Sequence, residues 1–138
     1  MKKDGCIFCM LAKGDIPANS PYEDDLVKVI FDRGPATKGH ALILPKNHCE
    51  DIYEIDEETA ARITVVASRV AKAMKAAFNV DGLNVLQNNG EVAGQTVFHY
   101  HTHLIPRYKG DGVTLEWTPG EVTDADVDSM VEAVKNNM

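Results

Sequence analysis

The chain lacks any run of 18 or more apolar residues, the length that a membrane-spanning helix requires. It also lacks a basic excess: 14 Lys and Arg stand against 21 Asp and Glu, for a net charge of −7. A broad nucleic-acid face needs a basic stripe, so this balance argues against nucleic acid as a partner. A small phosphate ligand stays allowed, because a pocket can be locally positive on an acidic protein. Cysteine is scarce and odd in number, at Cys6, Cys9 and Cys49. The start, MKKDGCIFCMLAKGD, carries only a short, interrupted apolar stretch and does not read as an export signal. A reducing, cytoplasmic setting is therefore expected. No internal repeat, low-complexity tract or long linker interrupts the 138 residues.

What is present suits a single domain over residues 1–138, with a core at about 5–110 and a tail with a helix at 111–138. At 44% hydrophobic and 25% charged, such a chain can bury a core without disulfide staples. Residues 1–20 read as a short helical turn or loop ending at GDIPANS. LVKVIFD (26–32) is rich in β-branched residues and predicts a strand; ALILPK (41–46) predicts a second, stopped by Pro45. RGPATKGH (33–40) is the turn between them. From Asp56 the period becomes helical: Ile63, Val66, Ala67, Val70, Met74, Ala77 and Phe78 recur at steps of three and four. Asp56 caps that helix, and NVDG (79–82) ends it. LNVLQN (83–88) and TVFHYHTHLIPR (96–107) predict two more strands around the loop NGEVAG (89–94). Thr123 with Asp126 forms a capping box ahead of a helix bearing Val127, Met130, Val131 and Val134. Adjacent strands close enough to pair antiparallel, with one central helix on the sheet, make an α+β pattern.

Three of the five histidines, His99, His101 and His103, sit at every second position of the last strand. Side chains alternate faces along a strand, so these three share one face, roughly 6.5–7 Å apart. Imidazoles on an apolar sheet are costly without partners, which leaves two purposes: a metal, or an anion and chemistry performed on it. Convergence of all three on one catalytic zinc is disfavoured by that spacing. Cys6-x-x-Cys9 has the spacing of half a tetrahedral zinc site, and His48 with one triad histidine could complete it; two reduced cysteines packed as small hydrophobes is the other reading.

HYHTHLI (99–105) resembles the signature of the histidine triad, or HIT, superfamily. CIFC…GDIPA…YEDD (6–25), IFDRGPATKGHALILPKNH (30–48) and GLNVLQNNGEVAGQTVFHYHTHLIPR (82–107) resemble its bacterial Hint-type branch, which includes nucleoside phosphoramidases. The resemblance spans about residues 5–110. It implies a HIT-like fold, an antiparallel sheet of about five strands with one central helix and here a short C-terminal helix. It implies hydrolysis at the α-phosphate of nucleoside phosphoramidates or related purine mononucleotide conjugates through a nucleotidyl-histidine intermediate, releasing AMP or GMP, with no organic cofactor.

By the same resemblance His101 is the nucleophile, and its second ring nitrogen is oriented by a backbone carbonyl. His103 contacts the phosphate, and His99 completes the triad. Asn88, Gln95 and Thr96 match positions that hydrogen-bond phosphate oxygens, and Gly94 lets the backbone approach them. Thr96 stands where many Hint-type proteins carry Ser. Asp32 matches the carboxylate that binds the ribose hydroxyls; its residue type alone equally suits a turn before Arg33-Gly34-Pro35. Ile7, Phe8, Ile16 and Ile30 match the apolar base slot, while Arg33 replaces a usually aliphatic residue. Some bacterial members bind a structural zinc through the residues equivalent to Cys6, Cys9, His48 and His99. The family implies a homodimer sharing the central helix and a sheet edge, and Trp117 falls in a W-x-P-G stretch that in Hint-type proteins reaches the partner. Competing readings are a dinucleoside polyphosphate hydrolase of the Fhit type, a nucleotidyl transferase, and a non-enzymatic nucleotide-binding scaffold.

Overall fold

A computed structural model describes residues 1–138. Five strands form one antiparallel sheet: β1 Tyr22–Glu23, β2 Val27–Phe31, β3 Ala41–Pro45, β4 Gly82–Gln87 and β5 Thr102–Arg107, in spatial order β1-β2-β3-β5-β4. Three helices accompany it: α1 Ile7–Lys13, α2 Glu57–Phe78 and α3 Asp124–Lys135. No helix is long and apolar enough to cross a membrane.

The period-two pattern of the strands divides the sheet into two unlike faces. Val27 and Val29 of β2, Ala41 and Ile43 of β3, and Leu104 of β5 join Ile63, Val66, Ala67, Val70 and Met74 of α2 in the main core. Ile30 of β2 with Leu42 and Leu44 of β3 face the other way and bury against Ala12 of α1, with Phe8 and Leu11 packed around them. The register sets His103 opposite both Leu42 and Leu86, on this second face. A 22-residue helix thus backs the sheet, while the short α1 covers only part of the opposite face and leaves room for a site.

Both predicted caps form: the Asp56 side chain accepts from Thr59 N, and Thr123 and Asp126 make a reciprocal capping box. Two expectations are made specific and a third needs correction. The two-residue β1 carries no period to read, and the sequence pattern missed it. The N-terminal segment holds a real helix, α1, capped by the Cys6 sulfur accepting from Cys9 N. The expected strand at 96–107 begins only at Thr102. Its ladders stop at Ile43 of β3 and at Gln87, the last residue of β4, both opposite Thr102. The Pro45 carbonyl is taken by the His99 ring at 2.9 Å, and Tyr100 N–H donates to Cys49 O at 2.8 Å, so residues 96–101 bond to a loop and not to a ladder. Alternation nevertheless survives: Tyr100 and Leu104 enter the core under α2, while His99, His101 and His103 face away from it.

Candidate functional site

The site begins at the N-terminus. Cys6 and Cys9 stand one turn apart at the start of α1, and His48 follows β3. Cys6 Sγ lies 3.4 Å from His99 Nδ1, and Cys9 Sγ lies 3.3 Å from His48 Nδ1 and 3.4 Å from His99 Nδ1. All four ligand atoms fall within 4.8 Å of one another. A tetrahedral ion with Zn–S of about 2.3 Å and Zn–N of about 2.0 Å sets ligand–ligand edges of about 3.5 Å, so the spacing fits. Tautomers fit as well. Pro45 O accepts from His99 Nε2, which puts the proton there and leaves the Nδ1 lone pair facing the sulfurs. Burial pushes the His99 pKa down to about 4, holding the ring neutral. Burial also raises the Cys9 pKa, an unfavourable setting for a free thiolate without a cation. Cys49 is buried in the main core, its pKa pushed up to about 11 by desolvation, and it joins no cluster.

His99 also links this cluster to the next histidine. Its backbone carbonyl accepts from His101 Nδ1 at 2.7 Å. The proton of a neutral His101 ring is thereby fixed on Nδ1, and Nε2 keeps a free lone pair. Burial lowers the His101 pKa, so the ring is neutral near pH 7. Phe8 stands edge-on to the same ring, centroids 5.0 Å apart. His103 lies beside it at 4.9 Å, and a further histidine, His40, reaches His103 Nδ1 at 2.9 Å. Asp32 Oδ2 is 3.7 Å from His40 Nε2, while its Oδ1 accepts from Gly34 N at 2.8 Å. His40 was not among the residues singled out from sequence. Its signal was the alternation His40, Leu42, Leu44, which sets it on the same face as His103.

Beside this row runs a groove of about 630 Å³ lined by Ile7, Leu11, Ile16, Ile30, Phe31 and Asp32, among others. Its size suits a nucleoside, and six of its ten lining residues are hydrophobic, with Asp32 and Arg33 among the rest. A second cleft of about 320 Å³ shares Ile7 and is bounded by Thr96, His48 and Phe98.

A family model, the HIT domain, matches residues 13–110. The chain belongs to the HIT family. The HIT chain is 48% identical over 115 residues to Protein hit of Bacillus subtilis, covering 83% of this chain and 79% of the relative. It is 34% identical to adenosine 5'-monophosphoramidase hnt1 of Schizosaccharomyces pombe, over 96% of this chain and 98% of that one. Among solved structures it resembles a HIT family protein from Bacillus anthracis, with TM-score 0.93, 42% identity and 98% of each chain covered. It also resembles a Zn-bound histidine triad family protein from Mycobacterium smegmatis, with TM-score 0.75 and 34% identity over 97% of this chain and 98% of that one. The Cys6–Cys9 pair precedes the residues that the HIT model matches.

The fold brings the triad, Phe8, Asp32 and the apolar groove residues together, and two expected site residues make further contacts. Gln95, expected to meet phosphate oxygens, is 2% exposed, and its amide is spent inside the chain. Its Oε1 accepts from Gly90 N at 2.8 Å, and its Nε2 donates to Glu50 O at 2.7 Å and Val97 O at 3.2 Å. Phe8, expected in the base slot, stands edge-on to His101 and packs against Ile30, which lines the large groove with Ile7 and Ile16. Gly94 ends the 3-10 turn Glu91–Ala93 in the left-handed region, φ 95°, with the Asn88 amide 3.5 Å from where a Cβ would stand. Thr96 is exposed at the second cleft. Trp117 and all residues from Thr114 to Met138 are exposed.

Proposed function

We propose that this chain is a HIT hydrolase that cleaves nucleoside phosphoramidates, or related purine mononucleotide conjugates, at the α-phosphorus. The observation that carries this reading is the 2.7 Å bond from His101 Nδ1 to the His99 carbonyl, which leaves Nε2 as a free, neutral nucleophile next to a nucleoside-sized groove. In the proposed reaction a His101 Nε2–P bond forms as the P–N or P–O bond to the leaving group breaks. The leaving group departs with that electron pair and takes up a proton. Water then attacks phosphorus and gives up a proton, which balances the one the leaving group took; the P–Nε2 electron pair returns to the ring, and AMP or GMP is released. Splitting one displacement into two lowers each barrier. Ile7, Ile16 and Ile30 would hold the base, the Asp32 carboxylate the ribose, and His103 with Asn88 and Thr96 would donate to the phosphate oxygens. The name of the fission-yeast relative, an adenosine 5'-monophosphoramidase, supports the substrate class.

We also infer that Cys6, Cys9, His48 and His99 hold a structural zinc. A closed four-ligand site supplies rigidity and no reactive position. The donor set and the His99 tautomer support it. A homodimer is proposed from the apolar side chains that one chain leaves uncovered: Val65 on α2, Val85 on β4 and the stripe on α3.

The test incubates the wild-type chain and His101→Ala with adenosine phosphoramidate, an adenylated lysine analogue and a diadenosine polyphosphate. AMP release and an acid-labile mass increase are followed. AMP from the phosphoramidate arm, lost in the variant, is the expected result. Release from the diadenosine arm alone would reassign the substrate class, and no release from any arm with nucleotide binding intact would leave a binding protein.

A further inference from the structure

His103 is the proposed phosphate donor, yet a neutral imidazole donates from only one nitrogen, and nothing in the triad itself says which. The answer lies in a chain of hydrogen bonds that starts at a backbone amide. Ala36 N–H donates to His40 Nδ1 at 2.9 Å. A backbone amide has a proton to give and no lone pair to accept one. His40 Nδ1 is therefore bare, and a neutral His40 carries its proton on Nε2. That atom lies 2.9 Å from His103 Nδ1. Two nitrogens at this distance share one proton, so His103 Nδ1 accepts. The proton of a neutral His103 must then be on Nε2.

We propose that His40 is a positioning residue: it fixes His103 as an Nε2–H donor, the opposite tautomer from its neighbour His101. The two rings sit 4.9 Å apart. His101, held through Nδ1–H by the His99 carbonyl, offers a lone pair at Nε2. His103, held through a bare Nδ1 by His40, offers a proton at the same ring position. Backbone groups set both: a carbonyl for the nucleophile, an amide for the donor.

The loop that aims the Ala36 amide is itself braced. Asp32 N donates to His40 O at 2.9 Å, His40 N to Thr37 O at 3.2 Å, and the Thr37 hydroxyl to Pro106 O at 2.5 Å. Asp32 Oδ2, 3.7 Å from His40 Nε2, favours a proton there by its charge. His40 is 6% exposed, so water does not compete for either ring nitrogen. The same Asp32 carboxylate thereby lines the groove of the proposed ribose site and sets its Oδ2 beside the His40 ring.

The assignment of His103 as phosphate donor rests on the proposed hydrolase reading, but its tautomer does not. The experiment records ¹⁵N NMR of the imidazole nitrogens in the full-length wild-type chain, with His40→Leu and His40→Gln, and measures turnover of adenosine phosphoramidate for each. The wild-type spectrum should show His103 protonated at Nε2 and bare at Nδ1. His40→Leu should give His103 a mixed tautomer and lower kcat by about 10–10²-fold, less than the roughly 10²–10³ that loss of one donor costs, because a mixed tautomer keeps part of the donor. His40→Gln, whose amide N–H can reach His103 Nδ1, should restore the tautomer and most of kcat. His103 protonated at Nδ1 in the wild type overturns the proposal, as does a His40→Leu chain with unchanged tautomer or unchanged kcat. Absence of turnover in the wild type would instead defeat the hydrolase reading, with the spectrum still deciding the tautomer.

Discussion

The ring of Phe8 stands edge-on to the ring of His101, centroids 5.0 Å apart and planes at 84°. It meets His99 in the same manner at 6.0 Å. One aromatic side chain at the start of α1 thus braces two of the three triad rings. Phe8→Ala should remove that brace and leave a void, destabilising the fold by about 2–3 kcal/mol for a half-buried ring. Its kinetic signature separates two roles. A residue packed under the proposed nucleophile lowers kcat when truncated, by about tenfold or more. A wall of the base slot raises KM and leaves kcat alone. The geometry predicts the first, and steady-state kinetics with a purine phosphoramidate decide.

The segment bearing Phe8 is tied down through Cys6 and Cys9. If these residues hold zinc with His48 and His99, elemental analysis should find one ion per chain in the wild type and little in Cys9→Ser. Chelation should lower the melting temperature by roughly 10 °C, since the ion anchors one segment and not the sheet. Cys49→Ser should change neither metal content nor turnover, because Cys49 lies in the core under α2. A metal-free wild type with the same melting temperature would refute the zinc assignment.

Acid should weaken the protein and its activity together. Burial lowers the pKa of His40, His101 and His103, the last to about 4. An unfolded histidine titrates near 6.5, so below that pH the unfolded chain binds more protons than the folded one. The stability these groups contribute is complete above pH 6.5 and is lost as pH falls toward 4. Protonation of His101 would also occupy its Nε2 lone pair. Melting temperature and kcat/KM, followed across about pH 4–8, should both fall on the acid side, with the activity limb below 6.5. A limb at or above 6.5, or a melting temperature flat to pH 4, contradicts this.

Much of this arrangement was legible in the sequence, for reasons that differ by element. The helical period of Ile63 to Met74 and the alternation of His99 to His103 are strong local patterns, and the structure keeps both. The start of β5 was not legible. It depends on where β4 stops, at Gln87 opposite Thr102, and on the Pro45 carbonyl binding a ring in place of a ladder partner. His40 escaped notice because its role depends on a residue 63 positions away, across the β3–β5 pairing. Gln95 was assigned by position in a motif, while its direction was fixed by Gly90, Glu50 and Val97, which no motif shows.

Gln95 and Gly94 should accordingly fail in different ways. Gln95→Ala strands the Gly90 amide and the Glu50 and Val97 carbonyls in a buried site, at a cost of about 2–3 kcal/mol. Denaturant melts should register that loss. Gly94→Ala places a Cβ in the left-handed region, costing about 1–2 kcal/mol, while meeting the Asn88 amide only in ordinary contact at 3.5 Å. Relief of that backbone strain should shift the loop before Thr96 and raise KM for a nucleotide several-fold. A Gln95→Ala chain of unchanged stability but raised KM would return Gln95 to the phosphate.

The C-terminal helix α3 bears on the proposed homodimer. Every residue from Thr114 to Met138 is exposed, yet residues 124–135 form a capped helix with Val127, Met130, Val131 and Val134 at 40–60% exposure. A 12-residue helix is marginal in water without packing. Its apolar stripe therefore needs a surface, and the main-core side of this chain is already covered by α2. On a second copy, burying that stripe would contribute about 1 kcal/mol per side chain, counted twice under two-fold symmetry. Half of that sum is about 4 kcal/mol, or about 10³ in Kd. A chain ending at Val113 keeps the Arg107–Asp111 ion pair that closes the end of β5 and should fold. Sedimentation at matched concentrations should show dimer for the full chain and a dissociation constant at least 10²-fold weaker for the truncated one. Equal association would place the interface elsewhere, on the exposed Val65 and Val85 of α2 and β4.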